Sequence, residues 1–259
     1  MFMSDPGNTL LALDFDGTLA PIVEDPASAW IHPDSLAALR RLGPVLGGIV
    51  IITGRPVDQA RRLGRFEEGP GLERLVVCGQ YGAERWDASS GEVRRPGRPQ
   101  AVSDLAECLP QWLEDHDAAR IRVEDKGLAI ALHTRGIAPG LLDELRPQIE
   151  ALAARVGLHL EPGRQVIELR AAGTDKGQTL RRVVGPMNPA AVVYAGDDLG
   201  DLPAFQEGIL LREQGVDVTL VCSASAEQDA LVALADVVLD GPEAVAAWLT
   251  GLADELAPA

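Results

Sequence analysis

Short apolar runs that end in polar residues or glycine recur along the chain, at Leu10 to Leu13, Ile49 to Ile52, Leu75 to Val77, Ala191 to Tyr194, Val216 to Val221 and Val237 to Leu239. Continuous runs of this length, without a polar face, are the pattern of strands buried on both sides. Between them lie helical patterns at Ser35 to Leu42, Val57 to Leu63, Gln178 to Val184, Glu227 to Leu234 and Glu243 to Leu252. Alternating strand and helix predicts an α/β fold with a doubly wound parallel sheet. In such a sheet ligands bind beyond the carboxyl ends of the strands, so the polar residues that close each run are the ones to read for chemistry.

The middle of the chain breaks this rhythm. Ala101 to Asp117 and Pro139 to Val156 read as helices, the second with apolar residues at Leu141, Leu145, Ile149, Leu152 and Val156. Each is followed by a predicted hairpin, Ile121 to His133 turning near Asp125-Lys126-Gly127, and Leu158 to Arg170 turning near Pro162-Gly163. The repeated helix-then-hairpin unit predicts a Rossmann-like core of residues 1–97 and 174–259 that carries an inserted α+β cap domain over residues 98–173. In the second hairpin Ile167 and Leu169 are expected to face the helices, with Arg164, Val166 and Glu168 on the opposite side.

Composition narrows the partners. A hydrophobic content of 46% in 259 residues supplies an ample core, and no apolar run approaches the roughly 18 residues of a membrane span. The opening MFMSDPGN lacks the basic flank and apolar segment of a secretory signal. The odd set Cys78, Cys108 and Cys222 reads as free thiols, so a cytoplasmic protein without a membrane partner is expected. A formal net charge of −16 argues against nucleic acid. It also repels anionic substrates, so a phosphate site in this chain must be made locally positive. Of 23 basic residues only Lys126 and Lys176 are lysines, and both lie in the tripeptide Asp-Lys-Gly. Lysine offers a compact point charge where arginine offers a planar fork. No motif specifies an oligomeric state, and a monomer satisfies the reading.

Four strand ends carry the candidate chemistry. Asp14-Phe15-Asp16-Gly17-Thr18 follows the first apolar run, and in an extended chain Asp14 and Asp16 share one side, where a divalent cation would relieve their repulsion. Thr53-Gly54-Arg55 closes the second run with a hydroxyl and backbone amides at a predicted helix start, a cradle for phosphate oxygens. Lys176 precedes a helix, where an ammonium can neutralise a phosphoryl group. Asp197-Asp198-Leu199-Gly200-Asp201 follows the Ala191 run and supplies acids for a cation. Taken singly, each has a plainer role as a cap, a turn or a solvated charge; the order DFDGT, TGR, DKG, GDDxxD is the informative feature.

That order resembles the haloacid dehalogenase superfamily of aspartate-nucleophile phosphatases, in which a cap inserted between the second and third motifs closes over the substrate. A narrower resemblance covers most of the chain: DFDGTLAPI, VEDKGLAIALHTR, GRQVIELRAAGTDKGQTL and YAGDDLGDLPAF look like the trehalose-6-phosphate phosphatase family. The resemblance implies hydrolysis of a sugar phosphate through an aspartyl phosphate, with Asp14 as nucleophile, Asp16 as acid and base, and Thr53 and Lys176 on the phosphate oxygens. Magnesium would be held by the Asp14 and Asp197 carboxylates and the Asp16 carbonyl, with Asp198 and Asp201 in support. Gly54 and Arg55 would bind substrate at the phosphate, and Glu124, Lys126, Arg164 and Glu168 would grip the sugar hydroxyls.

Three positions depart from the family. Its usual Thr-Asp-Glu after the paired aspartates reads Gly200-Asp201-Leu202 here, and the histidine that many members carry before Gly-Ala-Glu is Tyr81, to which the sequence assigns no role. A receiver-type signalling module also gathers acids, a hydroxyl and a lysine, but it is shorter and lacks the Asp-x-Asp strand end. A silent sugar-phosphate sensor would not need Asp16. A phosphatase for another sugar phosphate is the alternative within the enzymes.

Overall fold

A computed structural model describes residues 5–134, 136–137, 140–163, 165–171, 175–224 and 229–257. The chain divides into two compact units, Met1–Arg95 with Thr174–Ala259, and Pro96–Gly173. In chain order the first unit opens with β1 (Thr9–Leu13), α1 (Pro33–Leu42), β2 (Gly48–Ile52), α2 (Val57–Gly64), β3 (Val76–Gly79), β4 (Glu84–Asp87) and β5 (Val93–Arg94). The second unit contains α3 (Gln100–Asp115), β6 (Arg122–Asp125), β7 (Ala129–His133), α4 (Leu141–Glu144), α5 (Arg146–Val156), β8 (Leu158–Gly163) and β9 (Val166–Ala171). The first unit resumes with α6 (Lys176–Met187), β10 (Ala191–Gly196), α7 (Leu202–Glu213), β11 (Asp217–Ala224), α8 (Asp229–Val232), β12 (Val237–Asp240) and α9 (Gly241–Leu256).

The first unit is built on one sheet in the order β12-β11-β10-β1-β2-β3-β4-β5. Its strands alternate between two apolar layers, which is why their sequences are apolar throughout. Leu11, Leu13, Ile49, Ile51, Val193 and Val221 pack in a cluster with Leu39 of α1, Leu63 of α2 and Leu249 of α9. Leu10, Ala12, Val50, Ile52, Val192, Tyr194 and Leu220 pack on the other face with Leu180 of α6 and Phe205 of α7. β1 pairs in parallel with β10 on one side and β2 on the other. The chain therefore winds outward in opposite directions from β1 and β10, and the carboxyl ends of these two strands form the switch point at which a crevice opens.

The sheet is parallel from β12 to β3, as the sequence pattern implied, and carries two antiparallel edge strands that the pattern did not show. β4 runs antiparallel to β3, and β5 to β4. These edge strands escaped notice because Glu84-Arg85-Trp86-Asp87 carries three charges in four positions and resembles a turn. Helix α7 was also hidden: its buried face mixes Ala204, Phe205 and Leu211 with Gly208 and the buried acid Glu207, so the apolar stripe is broken. Glu207 is held there by Arg181, whose Nε and Nη2 donate at 2.9 and 2.5 Å.

In the second unit the two hairpins join into a four-stranded antiparallel sheet, β6-β7-β9-β8. Ile130, Leu132, Ile167 and Leu169 face a cluster with Leu105, Leu109 and Ile149 of the helices. Glu124, Ala131, Glu168 and Glu161 lie side by side in register on the alternate face. Pro162 and Gly163 belong to β8, in register with Ile167 and Val166 of β9. The predicted helix at Glu227 to Leu234 is seen as Asp229–Val232, its first residues lying outside the described part of the chain. Among the described residues no helix is long and apolar enough to cross a membrane.

Strand position makes a contrast that can be measured. Ile167 is 2% exposed and Val123 is 42% exposed. Ile167→Ala is expected to cost about 2–5 kcal/mol of unfolding free energy and Val123→Ala to stay within about 1 kcal/mol of wild type, measured by urea denaturation. Val123 lies in register with Leu132 and through it with Ile167, so the two share a face, but Val123 stands on the edge strand β6; equal losses would contradict its exposure there.

Candidate active site

The switch point brings distant residues together. Asp14, one residue past β1, is held by its amide donating to the Ala195 carbonyl of β10 at 2.8 Å. Lys176 opens α6, which is capped by Asp175 accepting from the Gln178 amide at 2.7 Å. The Lys176 ammonium reaches Asp14 Oδ1 at 2.7 Å and Asp201 Oδ1 at 2.8 Å, and all three side chains are buried. Gly177 permits this approach, because a Cβ there would lie 2.3 Å from the Pro203 carbonyl oxygen at the start of α7.

Asp14, Asp197 and Asp201 each present a carboxylate oxygen, all within 4.8 Å of one another. They differ in how far they are satisfied. Asp201 Oδ1 accepts from Lys176 and from the Tyr194 hydroxyl at 2.6 Å, while Oδ2 accepts from the amides of Asp197 and Asp198 at 3.1 and 3.3 Å. Both its oxygens are thus engaged, which makes it a brace rather than a free ligand. The Asp197 carboxylate instead lies over Gly17, where a Cβ would fall 1.9 Å from Oδ2 and the backbone has φ +75°. Only glycine fits a position that needs both. Ser223 of β11 secures this turn by donating to the Gly17 carbonyl at 2.6 Å.

The charges do not balance. Burial pushes the Asp14 carboxyl well above its ordinary value, and Asp201 and Asp198 push it further, against the pull of Lys176. Burial likewise raises Asp197, with repulsion from Asp14, Asp198 and Asp201 added. Burial raises Asp198 as well. For Lys176 burial alone would lower the ammonium, but Asp14 and Asp201 outweigh it and hold it above the lysine range. One buried cation facing several crowded carboxylates leaves a deficit of positive charge. An all-oxygen, anionic donor set of this kind suits a hard divalent ion such as magnesium.

Asp16 behaves differently from its expected place beside Asp14. The chain bends after Leu13, so the extended spacing does not persist. Both Asp16 oxygens accept from Arg55, Oδ2 from Nε and Oδ1 from Nη2, each at 2.6 Å. Arg55 also donates through Nη1 to the Pro26 carbonyl at 2.8 Å and lies over the Phe15 ring at 5.7 Å. Its guanidinium is engaged by the Asp16 carboxylate and the Pro26 carbonyl together. Thr53 is buried, and its hydroxyl accepts from the Arg55 amide at 3.1 Å, fixing the turn through Gly54.

In the second unit, Lys126 pairs with Glu168 and the His133 Nε2 lies 2.9 Å from Glu124 Oε2. Glu168 is 6% exposed, and its Oε2 is buried with no hydrogen-bond partner among the described residues. Such an atom is costly unless a donor arrives. Arg164 lies outside the described residues.

The sequence did not disclose Tyr194, Ser223 or His133. Tyr194 sits inside an apolar run and reads as core, and only the closeness of Asp201 reveals its hydroxyl as a donor. Ser223 falls just past the apolar run Val216 to Val221, where the sequence alone reads it as a turn residue, although β11 extends through it. For His133 the cross-strand register is the missing signal, since it places the ring beside Glu124.

A doubly wound sheet with a buried Asp-Lys-Asp constellation at the switch point and an α+β insertion is the architecture of the haloacid dehalogenase-like hydrolases. A haloacid dehalogenase-like hydrolase from Bacteroides thetaiotaomicron superposes with a TM-score of 0.65 at 18% identity, covering 94% of this chain and 99% of that one. The C-terminal domain of C. albicans trehalose-6-phosphate phosphatase superposes with a TM-score of 0.75 at 23% identity, covering 95% and 92%. The sequence itself matches the trehalose-phosphatase family over residues 12–237, and the chain belongs to that family. It is 30% identical over 254 residues to a trehalose-phosphate phosphatase of Mycobacterium tuberculosis, covering 94% of this chain and 61% of the relative. It is also 31% identical over 217 residues to an uncharacterized glycosyl hydrolase of the same species, covering 80% of this chain and 16% of the relative. The chain thus spans less than two thirds of the length of either relative.

The charge deficit has a measurable sign. Unfolded, Asp14 and Asp197 ionise near the ordinary carboxylate range of about pH 4; folded, they resist ionisation. Their contribution to stability is therefore full below that range and is lost as pH rises through the elevated folded values. In metal-free protein at neutral pH, Asp197→Asn is expected to raise the thermal midpoint by several degrees. Millimolar magnesium should raise the midpoint of wild type and not of the variant. A destabilised variant with an intact magnesium response would overturn this reading of the cluster.

Proposed function

We propose that the chain hydrolyses trehalose 6-phosphate to trehalose and inorganic phosphate, the last step of trehalose formation, through a phosphorylated Asp14. The observation that carries this reading is the buried Asp14 carboxylate 2.7 Å from the Lys176 ammonium, at the strand switch point of a trehalose-phosphatase family member. A carboxylate so placed is a nucleophile with a cation beside it to receive the phosphoryl charge. The three cysteines are free, which fits a reducing cytoplasm.

In the first half-reaction an Asp14 oxygen attacks phosphorus and the bond to the sugar oxygen breaks. Asp16 gives that oxygen its proton. In the second, water attacks the phosphorus of the aspartyl phosphate while Asp16 takes back a proton, and the bond to Asp14 breaks to release phosphate. Lys176 and the Thr53 hydroxyl hold the phosphoryl oxygens through both halves, and Asp201 keeps Lys176 aimed. The Asp14 and Asp197 carboxylates with the Asp16 carbonyl would hold magnesium, which when bound supplies positive charge between the nucleophile and the phosphate it approaches. Glu124, Lys126 and Glu168, with Arg164, are assigned to the sugar hydroxyls; the unpartnered Glu168 oxygen is an acceptor of the kind such hydroxyls satisfy.

Asp14→Asn is expected to lower phosphate release from trehalose 6-phosphate by about 10⁴-fold or more with the circular dichroism spectrum unchanged. Appreciable turnover in pure variant would sink the nucleophile assignment, and a wild type more active on other sugar phosphates would sink the substrate. Glu168→Ala is expected to reduce kcat/KM for trehalose 6-phosphate about 10- to 100-fold, and for p-nitrophenyl phosphate far less. Parallel losses on both substrates would remove Glu168 from sugar recognition.

A further inference from the structure

Between β3 and β4 the chain holds two consecutive residues other than glycine in the left-handed region, Gln80 at φ 48° and Tyr81 at φ 58°, followed by Gly82 at φ 93°. A bulky side chain rarely adopts this backbone, and such strain persists only where its surroundings enforce it. Here they do. The Gln80 amide donates to the Arg55 carbonyl at 2.8 Å and the Tyr81 amide to the Thr53 carbonyl at 2.9 Å. From α6, the Thr179 hydroxyl donates to the Tyr81 carbonyl at 2.6 Å. The segment is therefore tied to the turn that carries Thr53 and to the helix that carries Lys176.

The strained backbone aims one ring at the site. A Cβ on Gly54 would lie 2.9 Å from both Cζ and the hydroxyl oxygen of Tyr81, so the phenol end rests in the gap that glycine leaves in the phosphate-binding turn. The other edge of the ring faces Gly200, whose Cβ would lie 4.0 Å from Tyr81 Cε1. A single Cβ is tolerated at that distance, but the two branches of a threonine would press on the ring. Tyr81 and Gly200, two of the three positions that depart from the family pattern, lie next to each other here. The ring spans the rim between the turn of Thr53 and the loop of Asp197, Asp198 and Asp201, and it is half-buried.

We propose that Tyr81 is a specificity-determining residue, its ring forming the wall of the phosphate cradle against which the sugar of the substrate packs, with Gly200 small so that the ring fits. A flat aromatic wall favours a sugar ring over a small or flexible leaving group. The inference rests on the phosphatase reading above. It explains why a strained aromatic is retained where glycine or asparagine would sit without strain.

The test compares wild type, Tyr81→Gly, Gly200→Thr and the double variant on trehalose 6-phosphate and p-nitrophenyl phosphate, with thermal midpoints for each. Tyr81→Gly is expected to raise the midpoint by relieving strain, and to lower the ratio of kcat/KM for the sugar phosphate over the aryl phosphate about tenfold, through KM. Gly200→Thr is expected to lower the same ratio in wild type but to add little in the Tyr81→Gly background, since the ring it would strike is gone. Unchanged selectivity in Tyr81→Gly, or additive effects in the double variant, would overturn the inference while leaving the phosphatase reading intact. Wild type that releases no phosphate from trehalose 6-phosphate would overturn that reading itself.

Discussion

The constraint on which the structure turns is the burial of several carboxylates around one ammonium. Asp14, Asp197 and Asp201 are each no more than 5% exposed, and Lys176 is the cation among them. Removing charges from water is expensive, and removing like charges together is more so. The fold meets this by strength of geometry: two parallel strands, β1 and β10, set the spacing of Asp14 and Asp197, and the first turns of α6 and α7 press Lys176 and Asp201 into the same volume. A site that left the charge unbalanced would be useless in a protein of net charge −16 unless its task were to receive cations and anions together. Magnesium and a phosphoryl group are such a pair.

Within the cluster, hydrogen bonding separates structural from reactive acids. Asp201 takes four hydrogen bonds, from Lys176, Tyr194 and two backbone amides, so its position and charge are fixed before any ligand arrives. Among the described residues the Asp14 side chain has only the pairing with Lys176. Asp197 is set by the absence of a side chain at Gly17. The same logic runs through the second unit, where Glu168 has one oxygen paired with Lys126 and the other buried without a donor among the described residues. Acids that are fully bonded hold shape, and acids that are partly bonded await a ligand.

Much of this was legible in the chain because strands buried on both faces must be apolar throughout, so the points where they end stand out. Asp14, Thr53 and Asp197 stand out by that contrast, and with Lys176 they gain meaning from the order of the four motifs. The antiparallel edge strands could not, since Glu84 to Asp87 lies at the margin of the sheet where charge is tolerated. Tyr194 was invisible because a hydroxyl inside an apolar run gives no period of its own. The partnership of Asp16 with Arg55 spans 39 residues and depends on a bend after β1, which spacing rules for an extended strand miss. Tyr81 carried no signal either, because a left-handed backbone at a residue other than glycine cannot be read from side-chain chemistry.

The Asp16–Arg55 clamp bears on how the proposed reaction must proceed. A bidentate guanidinium pairs with a carboxylate and has nothing to accept from a carboxylic acid's proton. For Asp16 to deliver a proton to the departing sugar oxygen, at least one of the two 2.6 Å contacts must give way. Arg55 is the less free of the partners: it is 7% exposed, bonded to the Pro26 carbonyl and stacked over Phe15, whereas the Asp16 side chain is 36% exposed. Under the proposed reaction Asp16 is therefore the member expected to move, turning from a fixed cation toward the substrate oxygen and returning once the sugar has left. A clamp anchored on one side and open on the other gives the acid two defined positions, and the substrate oxygen is the group able to draw it from the first to the second.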